Sequence, residues 1–436
     1  MQLSSLIGHT HEILTAILTT GKPADGLMDP FFRSHAYLGS RDRRFIAEQA
    51  YGLLRHLRRC QHDADYGVRD FQGAISTPDH LYLLLAVHLA GQSYDREQLD
   101  AALQTKIGDR GLSHFLHKFL PRIGTAPMPY TGAERIGIQY SFPNWMVRTL
   151  IDEYGEQEAE LLCAALNEPA PLQLRVNTLK TDVARCRERL AAEGVDTMPT
   201  KLSPFGLTVS KRINIFSSAA FREGWFEVQD EGSQMLPLLI DPKPSVKLLD
   251  ACAGAGGKTL EFSVLMDNRG EILASDVRQF RLEELRKRAR RAGAHNIRVR
   301  AVDDLHDLAA DWTGGFDVVL VDAPCSGLGT IRRNPGMKWT VTEQTVREIA
   351  EKQRSILQAA SVLLAAGGVL AYATCTVLRS ENEAQIEGFL AEHSDFERSP
   401  SPKAGEMRSR RPGEYVLLPH VHGTDGFFCA LMRKTR

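Results

Sequence analysis

The chain has 436 residues, of which 43% are hydrophobic and 25% are charged. These values exclude a small stapled peptide and a wholly disordered chain, and they predict two or three domains, each with its own core. The 53 basic and 54 acidic side chains leave a formal net charge of −1, so any nucleic-acid-binding surface must be local.

Cysteine usage and hydropathy predict the compartment. The seven cysteines follow neither the C-x-x-C spacing of a zinc site nor the pattern of a secreted disulfide framework. Residues 1–20 do not have the pattern of a secretory leader, and no window supplies the roughly 18 apolar residues of a membrane span. We therefore expect a soluble cytoplasmic protein with reduced thiols.

Three domains are predicted in chain order. Residues 1–140 form a helical domain and linker, because apolar residues such as Phe45, Leu53 and Leu57 recur at helical spacing before prolines accumulate up to Pro143. Residues 141–240 combine helical stretches with short strand-like runs, which predicts a small α+β domain.

Residues 241–436 are predicted to form an α/β domain. Strand-like runs alternate with helical stretches, which indicates a doubly wound, mostly parallel sheet. The predicted strands are Val246–Asp250, Glu271–Ser275, Ile297–Val302, Phe316–Val321 and Gly368–Ala373.

A glycine-rich turn follows the first of these strands. In residues 252–259, Gly254, Gly256 and Gly257 let the backbone turn sharply and approach a ligand at the start of a helix. Asp276 ends the next strand, at the separation where an acidic side chain binds a ribose. Neither dinucleotide nor phosphate-loop spacing is fully matched, so a dinucleotide, S-adenosylmethionine and a turn without a ligand all remain open.

Two further strand ends carry cysteines. Cys325 follows Phe316–Val321, and Cys375 follows Gly368–Ala373. Ligands of open α/β sheets bind at the carboxyl ends of the strands, so we expect both thiols to face one crevice. A thiolate can add to an electron-poor carbon such as carbon 6 of a pyrimidine, whereas a lone cysteine here is commonly just a small buried side chain.

Five segments resemble the RsmB/Nop/Sun family of RNA cytosine-5 methyltransferases. They are residues 228–233 (VQDEGS), 250–259 (DACAGAGGKT), 322–327 (DAPCSG), 374–376 (TCT) and 424–428 (TDGFF). The resemblance covers most of residues 140–436. It implies a Rossmann-like class I methyltransferase domain, S-adenosylmethionine as the cofactor and RNA as the substrate.

The resemblance also implies a role for each site residue. Cys375 would attack carbon 6 of a flipped-out cytosine, Cys325 would assist proton removal or product release, and Asp322 would lie beside the methionine or the target base. DNA cytosine methyltransferases use a Pro-Cys nucleophile, so Pro324-Cys325 is the alternative attacking thiol. The implied cofactor residues are Cys252, Ala253, Gly254, Ala255, Gly256, Gly257, Lys258, Asp276 on the ribose, Asp303 near the adenine, and Asp322.

Two positions depart from the family pattern. Ala255 stands where the family usually has proline, and Thr376 where it usually has serine. Neither change removes a reactive group. Loss of the proline loosens the loop, which bears on cofactor affinity rather than on the chemistry.

The amino-terminal segment resembles the NusB-like helical module of the bacterial rRNA-modifying member, through residues 40–45 and 51–55. This favours ribosomal RNA of the small subunit over transfer RNA. The arginines of that region, which include Arg55 and Arg58, form either an RNA surface or an ordinary solvated helix face. Arg332, Arg333, Lys338 and Trp339 follow Cys325 and are candidates for RNA contact.

Other segments are predicted to be structural. Residues 380–383 (SENE) are typical of a capping box that opens a helix, and residues 399–413 are predicted to form a mobile loop. His420 and His422 are too isolated for a metal site, so no metal is predicted, and no oligomer is indicated. The competing functions are a transfer RNA methyltransferase, a non-catalytic RNA-binding assembly factor and a nucleotide-dependent oxidoreductase.

Overall fold

A computed structural model describes residues 1–211, 213–312, 315–405 and 407–436. The chain divides into two compact units, residues 1–168 with 331–342 and residues 169–330 with 343–436. No helix among the described residues is long and apolar enough to cross a membrane.

The first unit is helical. Its longest helix buries Ile46, Ala50 and Leu53, whose three- and four-residue spacing gives one apolar face. Ser76, Asp95 and Asp109 each accept a backbone N–H bond at the start of a helix, which fixes where those helices begin. The helices are Leu3–Thr20, Ala24–Ser34, Ser40–Gly67, Thr77–Gly91, Arg96–Gln104, Arg110–Phe119, Gly132–Gln139, Asn144–Tyr154, Glu156–Leu166 and Met337–Thr340.

Residues 331–342 belong to this helical unit although they follow Cys325 in the chain. Lys338 is 0% exposed, and its ammonium group donates to the Arg55 carbonyl at 2.6 Å and to Asn167 Oδ1 at 2.9 Å. The Trp339 indole N–H donates to the Leu54 carbonyl at 2.7 Å. The prediction of RNA contact by Lys338 is therefore wrong, because its side chain is buried inside the helical unit. Trp339 is only half-buried, and RNA contact by Trp339, Arg332 and Arg333 stays a prediction.

Two of the arginines predicted as a helix face are also structural. Arg55 is 8% exposed and donates to the carbonyls of Asn167 and Arg332 at 3.1 and 2.9 Å. Arg58 donates to the Phe142 carbonyl at 2.6 Å. Neither guanidinium is an ordinary solvated group, since each satisfies backbone carbonyls that no helix bond uses.

The second unit begins with a small antiparallel sheet. Its strands have the order β2-β3-β1-β4, and Leu174, Leu207 and Phe226 lie in its core. The strands are β1 (Gln173–Val176), β2 (Thr197–Pro199), β3 (Gly206–Val209) and β4 (Phe226–Val228). The helices around it are Val183–Ala192 and Ala219–Arg222.

The larger sheet of this unit has nine strands in the order β11-β12-β13-β9-β8-β5-β6-β7, with β10 paired to β13. They are β5 (Lys247–Asp250), β6 (Glu271–Asp276), β7 (Ile297–Ala301), β8 (Phe316–Asp322), β9 (Leu364–Thr374), β10 (Phe396–Arg398), β11 (Arg408–Arg411), β12 (Glu414–Leu417) and β13 (Phe427–Lys434). The accompanying helices are Glu231–Ile240, Gly257–Leu265, Gln279–Ala292, His306–Trp312, Glu343–Ser361, Glu383–Glu392 and Pro419–His422.

Strands β5 to β9 pair in parallel, which confirms the predicted α/β sheet for its central part. Strands β10 to β13 pair antiparallel and complete a mixed sheet. Within the segment predicted as a mobile loop, residues 408–411 form β11, and Glu406 lies outside the described residues. The chain runs from β5 to β6 on one side and returns to β8 on the other, so β5 and β8 border the switch point where such sheets bind ligands.

Candidate active site

A cavity of about 500 Å³ opens at the carboxyl ends of β5, β6 and β8. Its lining includes four of the predicted site residues, Cys252, Asp276, Asp303 and Asp322. The volume lies within the range of roughly 300–1,000 Å³ that is usual for cofactor sites. Residues 253–258 of the predicted loop are not among the lining residues. They instead contact residues that do line the cavity.

The glycine turn is tied to the end of β6. The Gly254 backbone N–H donates to Asp276 Oδ2 at 2.9 Å, and Asp276 Oδ1 accepts from the Arg278 backbone N–H at 2.8 Å. Burial alone would raise the pKa of Asp276, but these hydrogen bonds and the Arg278 charge outweigh burial and lower it. Asp276 therefore presents an ionised carboxylate to the cavity.

Gly256 is the glycine that the turn requires. Its φ is +84°, and a Cβ there would lie 2.5 Å from Leu285 Cγ. Gly257, where the helix begins, has open space at the same position. The close packing of the turn on the following helix thus depends on residue 256 rather than on residue 257.

Lys258 and Asp322 form an ion pair beside the thiols. Lys258 Nζ lies 2.6 Å from Asp322 Oδ2, with 11% and 29% of the respective side chains exposed. Burial alone would lower the pKa of Lys258, but Asp322 and the nearby Cys375 and Asp250 raise it above its ordinary value. A positive charge therefore lies close enough to Cys375 for the two groups to interact.

The structure brings Cys325 and Cys375 together. Strands β8 and β9 are parallel neighbours with Asp322 opposite Ala373, so the residues that follow them meet. The two Sγ atoms are 3.2 Å apart, and the Cys375 backbone N–H donates to Cys325 Sγ at 3.3 Å. The hydrogen bond with Cys375, reinforced by burial, raises the pKa of Cys325 well above its usual range, so Cys325 keeps its proton.

Four further cysteines, Cys60, Cys163, Cys186 and Cys429, are not among the predicted site residues. All four are buried and free. Burial raises the pKa of each to about 12, which leaves them as unreactive thiols.

The predicted capping box is wrong. The helix begins at Glu383, and Asn382 before it makes no side-chain capping bond. The Asn382 amide instead donates to the Thr376 carbonyl at 3.1 Å, and Thr374 Oγ1 donates to Asn382 Oδ1 at 2.5 Å. Glu381 is also directed inward, towards the residues that follow the two cysteines. The sequence pattern fits a helix cap, but in the folded chain these side chains form hydrogen bonds at the carboxyl end of β9 instead.

Two buried acidic side chains lie on the elements that flank the glycine turn, which are β5 and the helix after the turn. Burial raises the pKa of Asp250, at the end of β5, to about 7, although the Thr259 hydroxyl donates to it at 2.6 Å. Burial likewise raises the pKa of Glu261 to about 7, and Arg175 lies 3.7 Å from it. The Gln229 amide donates to Glu261 at 3.0 Å, which connects the small sheet to the helix after the glycine turn.

A mixed Rossmann-like sheet with a glycine turn and a cavity at its carboxyl edge is the architecture of enzymes that bind a nucleoside-containing cofactor, a class that includes the Rossmann-like methyltransferases. Residues 237–433 match the family model described as 16S rRNA methyltransferase RsmB/F, and residues 142–216 match the ferredoxin-like domain of RsmF/B-like proteins. The chain is 33% identical over 429 residues to the probable ribosomal RNA small subunit methyltransferase B of Synechocystis, which covers 94% of this chain and 95% of the relative. The chain belongs to the RsmB/F family.

Two further similarities extend over nearly the whole chain. The probable ribosomal RNA small subunit methyltransferase B of Bacillus subtilis is 33% identical, covering 91% of this chain and 92% of its own. The crystal structure of PH0851 superposes with a TM-score of 0.79 at 27% identity and covers 99% of both chains. The predicted family resemblance is thereby confirmed.

Proposed function

We propose that the chain transfers the methyl group of S-adenosylmethionine to carbon 5 of a cytosine in small-subunit ribosomal RNA. The observation that carries this proposal is the pair of thiols 3.2 Å apart at the ends of β8 and β9. Family membership supplies the methyl donor and the RNA class. Paired thiols at a strand edge suit a substitution that begins with addition to a pyrimidine ring.

Cys375 is the attacking thiol in this scheme. The ammonium group of Lys258 stabilises the Cys375 thiolate, which forms a bond to carbon 6 of the cytosine. The electron pair displaced from the ring makes carbon 5 nucleophilic, and bound S-adenosylmethionine supplies the methyl group to it. A solvent water molecule then takes the carbon 5 proton, which restores the ring double bond and expels the Cys375 thiolate.

Cys325 acts at the later stage. Its raised pKa keeps it protonated, so it does not compete for carbon 6, and its sulfur lies 3.2 Å from the Cys375 sulfur, close enough to donate its S–H there. As the product forms, this proton stabilises the departing Cys375 thiolate. This order of events favours Cys375 over the alternative nucleophile at Pro324-Cys325.

The cavity residues fit the methyl donor. Asp276 offers the ribose an ionised carboxylate, Asp303 on the cavity wall would contact the adenine, and Asp322, which pairs with Lys258, would lie beside the methionine. The remaining predicted loop residues, Cys252 to Gly257, provide the turn. A cavity of about 500 Å³ has room for such a ligand.

Residues 1–140 serve as a NusB-like module that binds ribosomal RNA, residues 141–240 as a small RNA-binding domain, and residues 241–436 as the catalytic domain. The ferredoxin-like model over residues 142–216 and the methyltransferase model over residues 237–433 support the last two assignments. The all-helical first unit suits the first. The cytoplasm is the compartment that this substrate requires.

Methyl transfer from labelled S-adenosylmethionine tests the proposal. Small-subunit RNA, large-subunit RNA and transfer RNA from cells lacking the enzyme are compared as acceptors, and the labelled base is identified after nuclease digestion. We expect 5-methylcytosine in small-subunit RNA. Label in transfer RNA alone, or on another base, would refute the assignment, and RNA binding without transfer would indicate an assembly factor.

A further inference from the structure

A buried carboxylate lies behind the two thiols. Glu381 is 0% exposed, and each of its oxygens accepts two hydrogen bonds. Oε1 accepts from the Ser326 backbone N–H at 2.7 Å and from the Gln353 amide at 3.1 Å. Oε2 accepts from the Ser326 hydroxyl at 2.5 Å and from the Thr376 hydroxyl at 2.9 Å. All four groups donate, which is the pattern that an ionised carboxylate satisfies.

These bonds join the segments that carry the reactive sulfur atoms. Ser326 follows Cys325 and Thr376 follows Cys375, so one side chain holds the neighbour of each thiol. The Ser326 and Thr376 hydroxyl oxygens are themselves 3.0 Å apart. Charge-assisted hydrogen bonds in a buried site are stronger than neutral ones, and a donor left without its partner there is costly.

The helix Glu343–Ser361 adds a third point of attachment. Besides its bond to Glu381, the Gln353 amide donates to the Pro324 carbonyl at 2.9 Å, and Gln353 is 0% exposed. The Tyr372 hydroxyl donates to the Glu381 backbone carbonyl at 2.6 Å, which holds the acid itself in place. The backbone of Glu381 is therefore held in place, and its carboxylate binds both of the segments that carry the thiols.

We propose that Glu381 is a positioning residue that fixes the separation of the Cys325 and Cys375 sulfur atoms, because it holds the residue that follows each of them. The inference rests on the proposed function, because the distance between the thiols matters only if both of them take part in methyl transfer. The charge of Glu381 is also among the causes that raise the pKa of Cys325, after the hydrogen bond with Cys375 and burial.

Two substitutions separate the hydrogen bonds of Glu381 from its charge. In Glu381→Gln the amide oxygen still accepts from Ser326 N–H and Gln353, and the amide nitrogen donates to the two hydroxyl oxygens after they rotate. That variant keeps the sulfur separation and loses the charge, whereas Glu381→Ala loses both. Glu414→Gln is the matched control, since Glu414 is also 0% exposed and pairs with Arg398 at 2.8 Å.

The test uses the full-length proteins without RNA. Iodoacetamide labelling of Cys325 and Cys375 is followed by peptide mass spectrometry from about pH 6 to about pH 10, a range that spans ordinary thiol ionisation. Disulfide formation with diamide, which takes up the two thiol hydrogen atoms as the S–S bond forms, reports the separation of the sulfur atoms. Thermal unfolding shows whether each variant is folded.

We expect Glu381→Gln to form the disulfide at the wild-type rate but to shift the labelling of Cys325 to lower pH. We expect Glu381→Ala to lower kcat for methyl transfer by about 100-fold, with little change in KM for S-adenosylmethionine, because a displacement of about 1 Å is that costly. Disulfide formation should slow in the same variant. Glu414→Gln should match the wild type in Cys325 labelling, in the rate of disulfide formation and in kcat.

An unchanged Cys325 labelling profile in Glu381→Gln would overturn the effect of the charge on Cys325, and an unchanged disulfide rate in folded Glu381→Ala would overturn the positioning role. If Glu381→Ala does not fold, Glu381→Asp takes its place: the shorter carboxylate cannot reach both segments, so its disulfide formation should slow, and an unchanged rate would overturn the positioning role. A wild-type protein that shows the expected thiol behaviour but methylates no RNA would refute the proposed function and leave the role of Glu381 intact.

Discussion

Replacing Lys338 with methionine distinguishes a structural lysine from one that contacts RNA. The Lys338 ammonium group donates to the Arg55 carbonyl, to Asn167 Oδ1 and, at 3.4 Å, to the Tyr140 carbonyl. It also lies 4.5 Å from the centre of the Phe142 ring. Methionine fills a similar volume but leaves these acceptors without their donor.

The expected loss follows from two opposing effects. An acceptor left unpaired in the interior costs about 1–3 kcal/mol, and the substitution affects two acceptors at close range. Burial lowers the pKa of Lys338 well below its usual range, so removing this amine recovers part of that burial cost. We therefore expect the free energy of unfolding of the helical unit to fall by about 2–4 kcal/mol.

Hydrogen exchange measured by mass spectrometry on peptides from Ser40–Gly67 and residues 331–342 reports this loss within the helical unit. Lys118→Met, at an exposed lysine on the helix Arg110–Phe119, is the control and should change the same free energy by less than about 0.5 kcal/mol. If Lys338→Met changes the free energy of unfolding no more than the control does, and RNA binding is weaker, the structural role is refuted and Lys338 contacts RNA.

Three other substitutions test the cavity. Gly256→Ala should lower the free energy of unfolding and the free energy of S-adenosylmethionine binding by at least about 1 kcal/mol, because the alanine Cβ would meet Leu285. Thermal unfolding and calorimetric titration measure the two losses, and an equal effect of Gly257→Ala would contradict this reasoning. Asp250 and Glu261 both have a raised pKa of about 7, so their ionisation makes the free energy of unfolding fall as pH rises from about 4 to about 7, and urea unfolding of Asp250→Asn should show a smaller slope. A slope equal to that of the wild type would refute the assignment. Lys258→Gln should slow alkylation of Cys375 at neutral pH by about tenfold, and an unchanged rate would show that the ammonium group does not stabilise the thiolate.

The sequence was sufficient to predict the sheet edge that forms the site. Short apolar runs end at Asp250, Asp276 and Asp322, and parallel strands place their carboxyl ends together, so the positions of these acids and of the two cysteines followed from local pattern. The pairing of β8 with β9, which sets the distance between the sulfur atoms, is a non-local property that no local pattern specifies.

The errors arise where distant residues compete for a side chain. Residues 380–383 match a capping box, yet Glu381 and Asn382 bond to the ends of β8 and β9, which are close only after folding. Lys338 follows Cys325 in sequence, but its segment belongs to the helical unit, where buried carbonyls accept hydrogen bonds from its side chain. In both cases the decisive signal is an unsatisfied polar group in a distant part of the chain.

A denaturing gel tests the central claim most directly. Wild type, Cys325→Ala and Cys375→Ala are incubated with S-adenosylmethionine and small-subunit RNA from cells lacking the enzyme, and protein bound covalently to RNA is measured. If Cys375 attacks the base and Cys325 assists release, the adduct accumulates in Cys325→Ala and is absent from Cys375→Ala. Accumulation in Cys375→Ala would reverse the two roles, and no adduct in any protein that still binds RNA would contradict covalent catalysis.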